Sequence, residues 1–157
     1  MSMGSMRRIA SGALGGVGGT LALTGFRQVL AAAGLVGATA PEQVIARLEE
    51  IGLLDDLSPE ARRVLTAVAH LAYGVGLGSA LGLLRRERGG VAEEAAVGTA
   101  LGLLAWGANW TALLPSTGIH RPPWKERTPK VLMPILDHAI YGAAWGFLYR
   151  ALRSDRV

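Results

Sequence analysis

Seven residues able to carry charge or make strong hydrogen bonds stand inside stretches that are otherwise apolar: Arg27, His70, Tyr73, Asn109, Asp137, His138 and Tyr141. Several chemistries suit such a set. Arg27 and Asp137 can pair as a buried ion pair. Two imidazoles at equal depth can ligate a haem iron between them, or hold a metal with Asp137. A row of such groups can also pass protons or a solute. The plainest use is hydrogen bonding of each His to Tyr, Asn or backbone, which fixes helix register. No cysteine occurs, which removes disulfides, thiolate metal sites and thiol catalysis. No phosphate-binding glycine loop, nucleophile elbow or His-Glu-x-x-His pattern is present, so the expectation is a protein that is not an enzyme.

The elements that must hold these residues are four apolar segments. The first runs from about Ile9 to Val36, with Arg27 and Gln28 late in it. The second, Val64 to Leu84, and the third, Ala95 to Pro115, are each 21 residues long, and His70 is the only ionisable group in the two. The fourth, from Val131, carries Asp137 and His138 and reaches a membrane's width if it continues to Leu152. About 20 apolar residues cross the hydrocarbon of a bilayer as a helix, and in lipid the backbone must satisfy its own hydrogen bonds. The fold class expected is therefore all-α: a four-helix transmembrane bundle forming one domain over residues 1–157. Charged residues make up 18% of the chain, below the roughly one quarter of soluble domains, which weighs against a water-soluble bundle. Arg7-Arg8, an apolar core and Ala31-Ala32-Ala33 have the outline of a cleaved signal, but Arg27 and Gln28 fall just before the small residues.

Between the first two spans, Pro41 with Glu42 begins a short amphipathic helix, with Val44, Ile45, Leu48 and Ile51 at helical spacing, expected to lie on the membrane or cap the bundle. Ser58-Pro59-Glu60 is a second helix start, leading into the second span. Glu93-Glu94 reads as favourable charge at a helix N-terminus. His120, in the proline-rich third connection, is expected to be solvated.

The net charge is +4. Basic residues flank the apolar segments, as Arg7-Arg8, Arg62-Arg63, Arg85-Arg86 and Arg150 with Arg153 do, which fits interfacial anchors and not a nucleic-acid face. The expected partners are the lipid bilayer and other membrane proteins or a second copy, with no nucleic acid. With the N-terminus inside, eight Lys and Arg fall on the inner side, among them Arg88 and Arg156, and seven on the outer, among them Arg127. That margin, with the tight Arg85-Arg86 turn, puts both termini in the cytoplasm. On the ~1.5 Å rise of a helix, Arg27, His70, Asn109, Asp137 and His138 then share one layer in the outer part of the membrane, with Tyr73 and Tyr141 a turn deeper.

The second and fourth spans share a pattern: His70, Tyr73, Gly74 and Gly78 match His138, Tyr141, Gly142 and Gly146 at identical spacing. The first and third match more loosely, Gly16 with Gly98 and Gly25 with Gly107. The chain thus reads as two copies of a helix pair related by an axis along the membrane normal. Glycines one turn apart (Gly12 and Gly16, Gly74 and Gly78, Gly98 and Gly102, Gly142 and Gly146) make grooves where another helix backbone can approach.

Leu113-Leu114-Pro115, Gly118 to Pro123 and His138-x-x-Tyr141-Gly142 together resemble the YagU-like family of small bacterial inner-membrane proteins. The resemblance covers most of Ile9 to Arg153. It implies a four-helix protein of the bacterial inner membrane and carries over no catalytic residue. The function expected is a structural or accessory role; the alternatives are a transporter or channel subunit using the polar layer, and a haem- or metal-binding membrane protein.

Overall fold

The computed structural model describes residues 2–35, 38–55, 57–86, 89–119, 121–125 and 128–153. Val36, Arg88, His120, Arg127 and Arg156, each given a place above, lie outside the described residues. The class is all-helical, with no strand among the described residues. Helix α1 is Met3–Ala32, α2 is Ala40–Glu50 and α3 is Pro59–Leu84. Helix α4 is Val91–Ser116, widened to a π turn over Asn109–Leu113, and α5 is Thr128–Leu152.

The ends of these helices follow from local chemistry. Ser2 and Ser58 accept from the backbone N–H three residues on, at 3.2 and 3.1 Å, and so cap α1 and α3. Thr39 and Glu42 form a reciprocal capping box at α2, with Pro41 in its first turn. Helices α1, α2 and α4 stop at Gly34, Gly52 and Gly118, each with φ near +70°, where the next residue's N–H reaches back to satisfy a last-turn carbonyl. The first helix is therefore displaced from the expected segment: it starts at the Ser2 cap and stops short of Val36. The third begins at Val91, four residues before Ala95, with Gly90 as its cap.

Helices α1, α3 and α4 are each long and apolar enough to cross a membrane. Helix α5 is 25 residues long and holds Pro134, Asp137, His138 and Arg150. Leu21, Val68, Leu104 and Phe147 are among many large apolar side chains left on the outside.

Glycine decides which helices touch. On one face of α1, Gly12 and Gly16 lie against Gly74, Gly78 and Gly82 of α3, so closely that a Cβ added at Gly78 would stand 2.8 Å from the Gly16 Cα. Gly98 and Gly102 of α4 meet Gly142, Gly146 and the His138 carbonyl of α5 in the same manner. A second face of α1 sets Gly15 and Gly19 beneath Trp145 and Tyr141 of α5. The packing order is α3–α1–α5–α4, and α3 and α4 do not pack along their lengths. Gly25 and Gly107 touch nothing a Cβ would disturb.

The core sits where α5 crosses α1 and α3. Trp145 and Tyr149 are fully buried and stacked at 4.7 Å between ring centroids. Each aromatic polar group there finds a backbone acceptor on another element. Trp145 Nε1–H donates to the Gly12 carbonyl (3.1 Å), Tyr141 O–H to the Gly74 carbonyl (2.7 Å) and Tyr149 O–H to the Arg85 carbonyl (3.0 Å). Replacing Tyr141 with phenylalanine removes one such bond and leaves the ring in place, so the unfolding free energy should fall by about 1 kcal/mol in a denaturant titration of the purified chain.

Candidate functional site

A cavity of about 300 Å³ lies between α3 and α4, with α1 and α5 behind it and α2 as its roof. Ala40, Pro41 and Val44 of α2 line it from above. Helix α2 is held over it by the buried Ile45 and by Glu49, which pairs with Arg62 at 2.6 Å and accepts from the Leu57 N–H. Arg62, at a position that suits an interfacial anchor, thus also ties α3 to α2.

Five of the seven polar residues singled out in the sequence line this one cavity: His70, Tyr73, Asn109, His138 and Tyr141. Arg27 and Asp137 do not line it. They are bonded to each other, Arg27 Nη1 to Asp137 Oδ2, and Asp137 Oδ1 is buried without a hydrogen-bond partner among the described residues. Tyr73 is not the buried residue its depth implies: 45% of it is exposed, because no helix packs over α3 on the α4 side.

The hydrogen bonds fix which polar atoms remain open to a guest. Thr20 donates its hydroxyl to the Gly16 carbonyl and Tyr141 donates to Gly74, so neither has a proton left. Asn109 Nδ2 donates to the Ala105 carbonyl (2.8 Å) and to the Tyr73 oxygen (2.6 Å), which leaves the Tyr73 proton free. His138 Nδ1 stands 2.8 Å from the Pro134 carbonyl; a carbonyl only accepts, so Nδ1 carries the proton and Nε2 is an acceptor. Among the described residues no group of three or more His, Asp or Glu is placed to hold a metal, so Asp137 does not complete a ligand set with the two histidines.

The π turn explains why α4 widens here. Pro115 has no N–H, and its ring crowds the carbonyl four residues back, so the last regular bonds shift and Leu114 N–H reaches the Asn109 carbonyl instead. The wider turn brings Asn109, Trp110, Leu113 and Leu114 to the cavity wall. Trp110, Thr20 and the α2 roof are lining residues that sequence reading does not single out. Pro115 at the end of an apolar span was the available signal for the turn.

A second polar cluster lies at the opposite end of the helices. Glu94 is only 1% exposed, and both its oxygens accept from Arg85 Nε at 3.1–3.3 Å while Oε1 also takes the Gly89 N–H at 2.8 Å. Glu94 stands in the first turn of α4, as expected of a favourable charge at a helix N-terminus, and it is in addition the buried ion-pair partner of Arg85. Arg85, at a position that suits an interfacial anchor, is held by this pair and by Glu93. The hydrogen bonds that the Arg85 guanidinium donates to Glu94, more than the one it donates to Glu93, raise it above its ordinary pKa. Arg153 stands 5.0 Å from the Tyr149 ring centroid and donates to its hydroxyl oxygen at 2.8 Å, closing the cluster.

Comparison with protein-family models, with curated proteins and with solved structures finds no match for the chain.

Proposed function

We propose that the chain is a multi-pass protein of the bacterial inner membrane with an accessory role: it holds a small molecule in the outer half of the bilayer. Its four long helices form one bundle made of two copies of a helix pair, with both termini in the cytoplasm. The duplication is supported by contact as well as spacing: Gly16 meets Gly74 and Gly78 as Gly98 meets Gly142 and Gly146. A membrane site is supported by three helices of spanning length and by the apolar side chains facing outward. The resemblance to the YagU-like family, resting on the motifs quoted above, agrees with that reading.

The observation that carries the binding role is the single cavity gathering His70, Tyr73, Asn109, His138 and Tyr141 amid apolar walls. A concave, mostly apolar site with a few convergent polar groups is how proteins hold small molecules. Conduction by one copy finds less support. Below the cavity lie Tyr141 and the fully buried Trp145 and Tyr149, and the glycine crossings on either side bring backbone against backbone.

Native mass spectrometry of the chain released from lipid nanodiscs tests this. The expected result is a bound small molecule that survives release, together with no proton or solute flux in liposomes. An empty chain that conducts would overturn the proposal in favour of the transporter or channel reading.

A further inference from the structure

We propose that the cavity takes the ring of a membrane quinone or quinol, entering sideways from the lipid between α3 and α4. This rests on the binding role proposed above and names its ligand class.

The entry route follows from packing. Helices α3 and α4 line the cavity but do not pack along their lengths. Tyr73 on α3 and Leu113 on α4 both line it and are 45% and 57% exposed, so they rim a mouth on the side of the protein. The hydrogen bond from Asn109 to Tyr73 is the link across that mouth. In a bilayer such a mouth faces hydrocarbon, and what enters from hydrocarbon carries an apolar tail.

The head group follows from the open atoms. Among the described residues no Arg, Lys, Asp or Glu lines the cavity, and Arg27 and Asp137 are bonded to each other outside it, so a charged head would lose its hydration without an opposite charge to meet. The site does offer the free Tyr73 proton as donor, and His138 Nε2 as acceptor. His70 makes no hydrogen bond of its own among the described residues and can serve as either. A ring carbonyl takes the donor, and a ring hydroxyl gives to the acceptor. The oxidised and reduced forms of a quinone present these two groups on one flat ring. Trp110 supplies an aromatic wall, and about 300 Å³ is at the lower end of small-molecule sites, suited to one substituted ring with its tail left outside.

The test uses the full chain in phosphatidylcholine nanodiscs, titrated with decylubiquinone and followed by tryptophan fluorescence. Saturable quenching is expected, and most of it should vanish in Trp110→Phe. Tyr73→Phe and His138→Leu should each weaken binding about tenfold, the scale of one lost hydrogen bond in a closed site. Leu104→Ala, which changes only the outer surface, should leave binding unchanged. His70→Gln, which keeps a donor and an acceptor, provides a further check with little risk to folding. Decylbenzene, with the tail but no ring oxygen, should not compete.

Non-saturable quenching, equal competition by decylbenzene, or indifference to Tyr73→Phe and His138→Leu in folded protein would each overturn the quinone assignment. A molecule that copurifies but is not displaced by decylubiquinone would refute the ligand class and leave the binding role standing. No copurifying molecule and no saturable probe would refute both.

Discussion

Gly142→Val is expected to cost about 3 kcal/mol or more of stability, at or beyond the upper end of usual overpacking penalties. A Cβ at Gly142 would stand 2.9 Å from the Thr99 Cα and closer still to the Gly98 backbone. Backbone cannot rotate aside as a side-chain tip can, so α4 and α5 must separate. Separation also strips the contacts of Gly98, Gly102 and Gly146, which lie along the same crossing. The same chemistry at Gly107 should act in the opposite direction. Gly107 has open space where its Cβ would be, and alanine is better than glycine within a helix by up to about 1 kcal/mol, so Gly107→Ala should hold or raise stability. Unfolding in mixed detergent, followed by circular dichroism, separates the two outcomes. Equal effects at the two positions would mean that close glycine crossings do not organise these helices.

Glu94→Ala should be nearly as damaging, by about 2–3 kcal/mol, because it takes the buried partner from Arg85 and the acceptor from the Gly89 N–H and leaves only the exposed Glu93 to meet the guanidinium. Arg85 keeps only 16% of its side chain exposed, and Glu94 meets it through both carboxylate oxygens. The adjacent Glu93 also pairs with Arg85, at 2.5 Å, but its side chain is 57% exposed, and Glu93→Ala should cost less than about 1 kcal/mol. Replacing both buried partners together, as Arg85→Met with Glu94→Leu, should recover much of the loss, since the penalty comes from the stranded charge. The same unfolding measurement reads all three variants. Similar losses for Glu93→Ala and Glu94→Ala would contradict the buried-pair account.

These two positions also mark how much of the molecule is legible in its residues. Helices were readable because uncharged runs of 21 residues and caps such as Ser58 are local signals. Glycines one turn apart announced close crossings, yet spacing alone does not tell which helix each groove receives. That Gly15 and Gly19 face Trp145 and Tyr141 follows from three-dimensional packing. The depth argument put His70, Asn109 and His138 in one layer, and all three line one cavity, because rise along a helix converts position into height. Depth carries no information about direction around the helix. For that reason the exposure of Tyr73, and the position of Arg27 and Asp137 outside the lining, were not readable. Glu94 was legible as an acid in the first turn of a helix, but its burial was not, because the Arg85 turn that folds over it is no local signal.

The account depends on hydrocarbon surrounding the outward faces of these helices. The chain has no cysteine, so a single nitroxide label can be placed at Leu104 or Phe147, both on the outside, without removing any native thiol. In reconstituted protein, electron paramagnetic resonance should find both labels readily relaxed by oxygen and shielded from a water-soluble nickel chelate. Labels at these two positions that the nickel chelate relaxes as strongly as oxygen does would mean that water bathes those faces, and the membrane reading would be wrong.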